Sequence, residues 1–326
     1  MGIKVYSSVL IGLGDIGLNY DLDKDQESYI QTHARAFYLN PGFDLLGGVD
    51  IDANACDIFT KKYNIRSFTK IEDALIELKP DLIILAIPTH LHLVTIKKIE
   101  KYHKPLAILC EKPMGDNLVQ GYEIVNICKK LGVSLYVNYF RTCLPGSKEV
   151  KKLIDNSLIK SPMKCVVWYS KGLMHNGSHF VNLMHYWFGA CLDLNIIEKG
   201  REFKNFGFEP YAILKYEGCE VSFIPVWEEF YSHYTIEIIS SNGRLYWGGK
   251  TLEWTQIQRS KSQHGHSYLS DKSENMVIGA DKYQMYVADE LYSAMGGKVS
   301  SICTDEKALE TLNTIDRILT IAHNKI

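Results

Sequence analysis

The sequence has 326 residues, 46% of them hydrophobic, with 36 basic against 38 acidic side chains and a formal net charge of −2. That balance offers no basic surplus to a nucleic acid, and the composition excludes a disordered or low-complexity chain. No apolar run approaches the ~20 residues of a membrane span. Eight cysteines without a CxxC pair, and a start without signal-peptide layout, point to reduced thiols in a cytoplasmic protein.

The length suggests two domains. Residues 5–11 are a mostly apolar run that stops at Gly12, as a strand buried on both faces would. Helical material with His33, Ala34, Ala36 and Phe37 follows, closed by Pro41-Gly42. Phe43–Val49 reads as a second strand ending on Asp50, and residues 52–63 as a helix capped by Asp52. Thr69 and Glu72 have capping-box spacing and predict a short helix to Leu78. Apolar runs at 82–87 and 106–110 predict further strands, before Pro88 and before Glu111-Lys112-Pro113; another at 134–138 follows a helix at Leu118–Leu131. Strands alternating with helices predict a doubly wound parallel Rossmann sheet over residues 1–140.

From residue 141 to 326 the pattern changes to an α+β domain with an open, mostly antiparallel sheet. A helix at 146–158 precedes strands at 163–171, 192–199, 211–216, 220–226, 234–240, 243–247 and 252–257, some joined by tight turns. A helix at 177–188 is embedded among them. The polar, aperiodic stretch 260–276 predicts a mobile loop. Helices at Tyr283–Met295 and 306–322 end the chain and can pack back on the first domain.

Gly12-Leu13-Gly14-Asp15-Ile16-Gly17 directly follows a strand, the context in which GxGxxG binds a dinucleotide. Gly12 allows the tight turn, Gly14 lets a pyrophosphate approach and Gly17 permits close packing. A structural glycine turn is the alternative. Asp50, ending the second strand, can bond both ribose hydroxyls and repels a 2′-phosphate, which favours NAD over NADP. It lies 33 residues past Gly17 rather than the usual ~20, consistent with an acidic insertion at 19–29. Its alternative role is a helix cap.

Glu111-Lys112-Pro113 and Pro88-Thr89-His90-Leu91-His92 end strands on the edge where such sheets bind ligands. An ammonium at Lys112 could polarise a carbonyl or stabilise an alkoxide; a surface lysine before a turn proline is the bland reading. His92 would border a cofactor or cap a helix. Farther along, His175, His179, Asn182 and Tyr186 share one face of an otherwise apolar helix, and such a stripe lines a cavity or a buried network. Two His at i and i+4 could hold zinc, but no third ligand completes the set, so no metal is expected. His264 and His266 lie in the polar loop and read as solvated.

On GLGDIG at 12–17, Asp50, the strand end at 88–92, EKP at 111–113 and HNGSH at 175–179, the chain resembles the glucose–fructose oxidoreductase / inositol dehydrogenase / MocA (Gfo/Idh/MocA) family over nearly its whole length. The resemblance implies NAD-dependent oxidation or reduction of a sugar hydroxyl by a homodimer or homotetramer assembled through the C-terminal sheet. It implies a cofactor held by Gly12, Gly14, Asp15, Ile16, Gly17, Asp50, Pro88, Thr89, His92, Glu111 and Lys112. Lys112 would handle the proton or polarise the carbonyl, and His179 would act as general acid/base. Many members have an aspartate where this chain has the third catalytic candidate, His175, and an acidic residue where it has Asn182, which would bind substrate with Lys112 and His179. Asn176 would hold a sugar hydroxyl. Arg141 and Lys171 face the cleft in the family architecture and suggest a sugar acid or nucleotide sugar. A dinucleotide-binding sensor or scaffold, or a lyase or glycosidase that recycles bound NAD, are the alternative readings; Lys112 together with His179 argues against a sensor.

Overall fold

The computed structural model describes residues 4–260 and 265–325, apart from the side chain of Asn205. By compactness the chain divides into two units. One holds the residues up to Cys143 together with Asp281–Leu309; the other holds Leu144–Ala280 and the residues from Glu310 onward.

In the first unit, β1 (Tyr6–Ile11) leads through a π-helical turn (Asp15–Asn19) and an irregular stretch to α1 (His33–Leu39). Then come β2 (Phe43–Val49), α2 (Ala53–Tyr63), β3 (Arg66–Phe68), α3 (Ile71–Leu78) and β4 (Leu82–Leu85). After these come α4 (His92–Tyr102), β5 (Ala107–Cys110), α5 (Leu118–Leu131) and β6 (Ser134–Val137). The strands pair in parallel in the order β6-β5-β4-β1-β2-β3. β4 and β5 are buried along their whole length because apolar clusters cover both faces of the sheet, so their sequences are unbroken apolar runs. Strand order reverses between β1 and β4, which opens a ligand crevice at their carboxyl ends.

Asp52 caps α2 as expected, accepting from the Asn54 amide. The capping box at Thr69 does not form. α3 starts instead with Lys70 at its N-cap and no side-chain cap bond, while Glu72 turns to the Lys98 ammonium at 2.9 Å. An ion pair from a neighbouring helix competes with the local bond and wins.

In the second unit, α6 (Pro145–Asp155) precedes β7 (Met163–Tyr169), α7 (Ser178–Phe188), β8 (Asp193–Glu202), β9 (Phe208–Tyr216) and β10 (Cys219–Pro225). It continues with β11 (Thr235–Ser240), β12 (Gly243–Gly248), β13 (Thr251–Arg259), β14 (Ser267–Leu269) and β15 (Glu274–Asn275). The main sheet order is β14-β13-β12-β11-β7-β10-β9-β8, antiparallel except for β7 against β10. α8 (Tyr283–Met295) and β16 (Cys303–Thr304) belong to the first unit, where β16 adds an antiparallel edge beside β6, and α9 (Asp305–Asn324) ends the chain.

The stretch 260–276, expected to be mobile, instead supplies β14 and β15. Both pair with β13, whose outer edge would otherwise be a row of unpaired amides and carbonyls. His264 lies outside the described residues, and His266 is exposed. Burial alternates along β7, β10 and β12. One face buries Val167, Phe223 and Trp247 with the almost wholly buried α7, Trp187 lying 5.9 Å from Trp247. The other face presents Trp168, Ile224, Ile213 and Tyr246 among the ion pairs Lys164–Glu220 and Arg244–Glu237. All eight cysteines are free thiols. Among the described residues no helix is long and apolar enough to cross a membrane.

Candidate active site

The three glycines after β1 are required for different reasons. Gly12 has φ +99°, and a Cβ there would lie 2.3 Å from the Ala86 carbonyl oxygen. A Cβ on Gly17 would lie 2.1 Å from the Gly12 oxygen. Around Gly14 nothing lies within 4 Å of the same construction. The protein's own packing therefore demands the outer two glycines, and the middle one leaves open space of the kind a pyrophosphate needs. Asp15 and Ile16 open the π-helical turn, in which the Leu18 amide donates to the Gly14 carbonyl at 2.7 Å.

Asp50 is bound into this loop. Its Oδ2 accepts from the Leu13 amide at 2.7 Å, and its Oδ1 accepts from the Asp52 amide at 2.9 Å. The carboxylate also lines a cavity of about 400 Å³, with Gly12, Gly14, Ile51, Pro88 and Leu91 among its walls. Thr69 and Glu72, read from sequence only as a cap, form another wall. Thr89 starts a single 3-10 turn outside that lining. His92 opens α4. Its ring is wholly buried, with Nδ1 3.1 Å from the Met114 carbonyl and Nε2 2.9 Å from that of Ile87. It ties the loops after β4 and β5 together, and burial holds its pKa below the ordinary histidine value.

Glu111 and Lys112 follow β5 directly. The Glu111 amide donates to the Leu85 carbonyl at 3.0 Å. Its Oε1 accepts from His33 Nε2 at 2.8 Å and from Asn138 Nδ2 at 2.7 Å, and its Oε2 from the Lys112 amide at 3.2 Å. Burial would push this carboxyl upward, but His33, Asn138 and the Lys112 charge outweigh it and hold the pKa below the usual carboxylate value. Lys112 itself is half-buried. Arg141, in the 3-10 turn Phe140–Cys143, is buried with its guanidinium 4.8 Å from the Phe140 ring centre.

In the second unit, the His175–Tyr186 face does not lie on one helix. Gly172–Gly177 form a π-helical turn, and α7 starts only at Ser178, so His175 and Asn176 precede the α-helix that carries His179 and Asn182. The turn is fixed at its origin: Gly172 has φ +77°, a Cβ there would lie 1.9 Å from the Phe206 oxygen, and its amide donates to buried Glu209 at 3.0 Å. The Phe206 ring lies 5.0 Å from the His175 ring and 5.0 Å from Lys171 Nζ. His179 is buried on α7, and Asn182 donates from Nδ2 to Thr311 Oγ1 at 2.9 Å. That part of the stripe feeds a buried network. Among the described residues no group of three His, Cys, Asp or Glu could hold a metal ion.

Sequence reasoning missed His33, Asn138, Gln284, Glu209 and Phe206. A single histidine on an apolar helix was the available signal for His33, and an asparagine ending an apolar strand for Asn138.

Comparison with known proteins agrees with this geometry. Residues 9–139 match the Gfo/Idh/MocA family, described as an oxidoreductase family with an NAD-binding Rossmann fold. An uncharacterised oxidoreductase of Bacillus subtilis, YrbE, is 30% identical over 114 residues, which is 35% of this chain and 33% of that relative's length. Among solved structures, the WlbA dehydrogenase from Bordetella pertussis, in complex with NADH and UDP-GlcNAcA, superposes with a TM-score of 0.75 at 16% identity, over 100% of this chain and 98% of its own. The UDP-N-acetylglucosamine 3-dehydrogenase GnnA from Acidithiobacillus ferrooxidans gives 0.73 at 13% identity, covering 97% of both chains. At these identities the two structures bear on the fold. Over residues 9–139, then, the chain is similar to the NAD-binding Rossmann domain of the Gfo/Idh/MocA oxidoreductases.

Proposed function

We propose that this protein is an NAD(H)-dependent oxidoreductase that moves hydride to or from the hydroxyl or keto carbon of a sugar acid or nucleotide sugar. The observation that carries this reading is the cradle of Gly12, Gly14 and Asp50, with open space at the middle glycine and a carboxylate in the adjoining cavity. Bound NAD supplies the hydride acceptor, and NADH the donor. Lys112 polarises the reacting C–O group, and His179 is the general acid/base with His175 in support. Asn176 and Lys171 bind the substrate. Asn182, held by Thr311, contributes by fixing α7.

A cofactor-reduction screen over neutral sugars, sugar acids and nucleotide sugars tests the reading; a complete absence of turnover with all of them removes it. The anionic preference rests on Lys171 and Arg141, and the ligand of the WlbA structure supports it. Arg141→Ala should lower kcat/KM for the charged substrate by about 10- to 100-fold, the loss of one charge-assisted clamp. Equal use of the neutral sugar by both enzymes, with no gain from Arg141 on the charged one, refutes that preference.

Asp50 should make NADH bind more tightly than NADPH, because its carboxylate opposes a 2′-phosphate. Asp50→Ala should narrow the gap and weaken both, since the bond to the Leu13 amide goes with it. Equal dissociation constants in the wild type would sink the preference.

The face of the second sheet away from α7 supports a homodimer or homotetramer, because Trp168, Ile224 and Tyr246 lie on it and Trp168 is exposed. Light scattering at micromolar concentration should report at least twice the mass of one chain; a single-chain mass rejects assembly.

A further inference from the structure

The buried polar groups around Glu111 have no part in that assignment of roles. Glu111 is their centre. Four elements meet on it: His33 opens α1, Glu111 follows β5, Asn138 follows β6 and Gln284 lies in the first turn of α8. His33, Asn138 and Gln284 are each at most 2% exposed. Asn138 Nδ2 serves both Glu111 Oε1 at 2.7 Å and Gln284 Oε1 at 3.2 Å, so its two amide hydrogens are spent inside the cluster. The other carboxylate oxygen holds the Lys112 main-chain amide. Burying a carboxylate at the edge of an apolar sheet is unfavourable without such partners. A merely structural anchor here needs no charge, since an apolar group of the same volume would fill the space at lower cost.

We infer that His33, Glu111 and Asn138 are positioning residues: they hold an ionised carboxylate that fixes the Lys112 backbone and opposes its ammonium. This rests on the reading of Lys112 as the group that acts on the substrate. The consequence is twofold. Lys112 stays cationic more readily than a lone lysine beside an apolar sheet, and its stem leaves the backbone at a fixed angle. A displacement of about 1 Å at such a group costs up to ~100-fold in rate.

Two measurements test it. The first needs no substrate: competitive acetylation with acetic anhydride at graded pH, read by mass spectrometry on the Lys112 peptide of the full chain. Glu111→Gln should move the Lys112 midpoint down by about one pH unit or more, the effect of losing a close opposite charge. The other titratable groups around Glu111 remain in place in that variant: His33 on α1, Tyr20 after the glycine loop, His92 on α4, Cys110 on β5 and Tyr283 on α8. An unmoved midpoint overturns the inference.

The second measurement uses the best substrate from the screen. His33→Leu should lower kcat by roughly 10- to 100-fold with the NADH dissociation constant within about threefold, and His33→Gln should recover most of it, because its amide nitrogen reaches the place of Nε2. Should His33→Leu fail to fold, Asn138→Leu removes the second donor to the same oxygen and carries the same expectation. Leu and Gln variants that behave alike, whether both active or both impaired, overturn the inference. Retained turnover in Lys112→Ala would instead defeat the reading of Lys112 itself, and the acetylation midpoint would still decide whether the carboxylate opposes that ammonium.

Discussion

Lys112→Ala is expected to lower turnover by about two to four orders of magnitude, the range for a positioned acid/base group. In barrier terms that is roughly 3–5 kcal/mol. The dissociation constant for NADH should stay within a few-fold, because the cradle of Gly12, Gly14 and Asp50 owes nothing to the lysine side chain. Lys112→Arg separates two roles. A guanidinium keeps the positive charge but does not give up a proton near neutral pH. Substantial recovery in the arginine variant would mean that the charge alone stabilises developing alkoxide. Continued loss would mean that a proton passes through the amine. Turnover within a few-fold of wild type in Lys112→Ala would make the residue structural and shift the chemistry to His179 and His175. Steady-state rates and a cofactor titration on the same preparations decide among these.

Much of the fold was legible because burial on two faces and burial on one leave different traces. β4 and β5 are buried throughout and read as unbroken apolar runs; β7, β10 and β12 are buried on one face and alternate. β3 and β16, with three and two residues, are too short for either trace. Failures came where a distant partner decided a local question. Thr69 and Glu72 had the spacing of a capping box, but Lys98 took the glutamate. The stripe from His175 to Tyr186 had α-helical spacing, but its start lies in the π-helical turn Gly172–Gly177 and only the later part on α7.

The candidate site divides in the same way. Gly12, Gly14 and Asp50 were readable because a dinucleotide loop is a local device within one β-α-β unit, and the structure joins them through the Leu13 amide. The cluster on Glu111 was not readable. Its partners lie 78 and 27 residues away in sequence, with Gln284 a further 146 residues past Asn138. Only the sheet brings α1, β5, β6 and α8 to one point. The insertion was legible as an interruption, since it explains the distance from Gly17 to Asp50, but nothing in its acidic composition announced that it would be built around a cation.

Arg35→Leu is expected to destabilise the first unit by about 3–5 kcal/mol, the usual cost of removing one member of a buried ion pair. The stretch between Asn19 and α1 has no helix or strand of its own, and its order comes from the guanidinium inside it. Arg35 Nη1 donates to the carbonyls of Tyr29 at 2.8 Å and Lys24 at 3.1 Å, while Nη2 donates to the carbonyl of Asp21. Its Nε lies 3.6 Å from the Asp21 carboxylate, whose side chain is wholly buried. That carboxylate also accepts from the Gln31 and Thr32 amides at 2.6 and 2.9 Å and from the Thr32 hydroxyl at 2.8 Å. A leucine would leave the carboxylate buried without a counter-charge and strand several carbonyls at once. Arg35→Lys should recover only part of the loss, because a compact ammonium has three donors and cannot span carbonyls on both sides of the loop. The released segment contains Lys24, so trypsin should cut there in Arg35→Leu long before it cuts the wild type. Since the stretch follows the π-helical turn that holds Gly17, NADH should also bind more weakly. A urea midpoint for Arg35→Leu equivalent to less than about 1 kcal/mol of destabilisation would show that the backbone of the insertion holds itself.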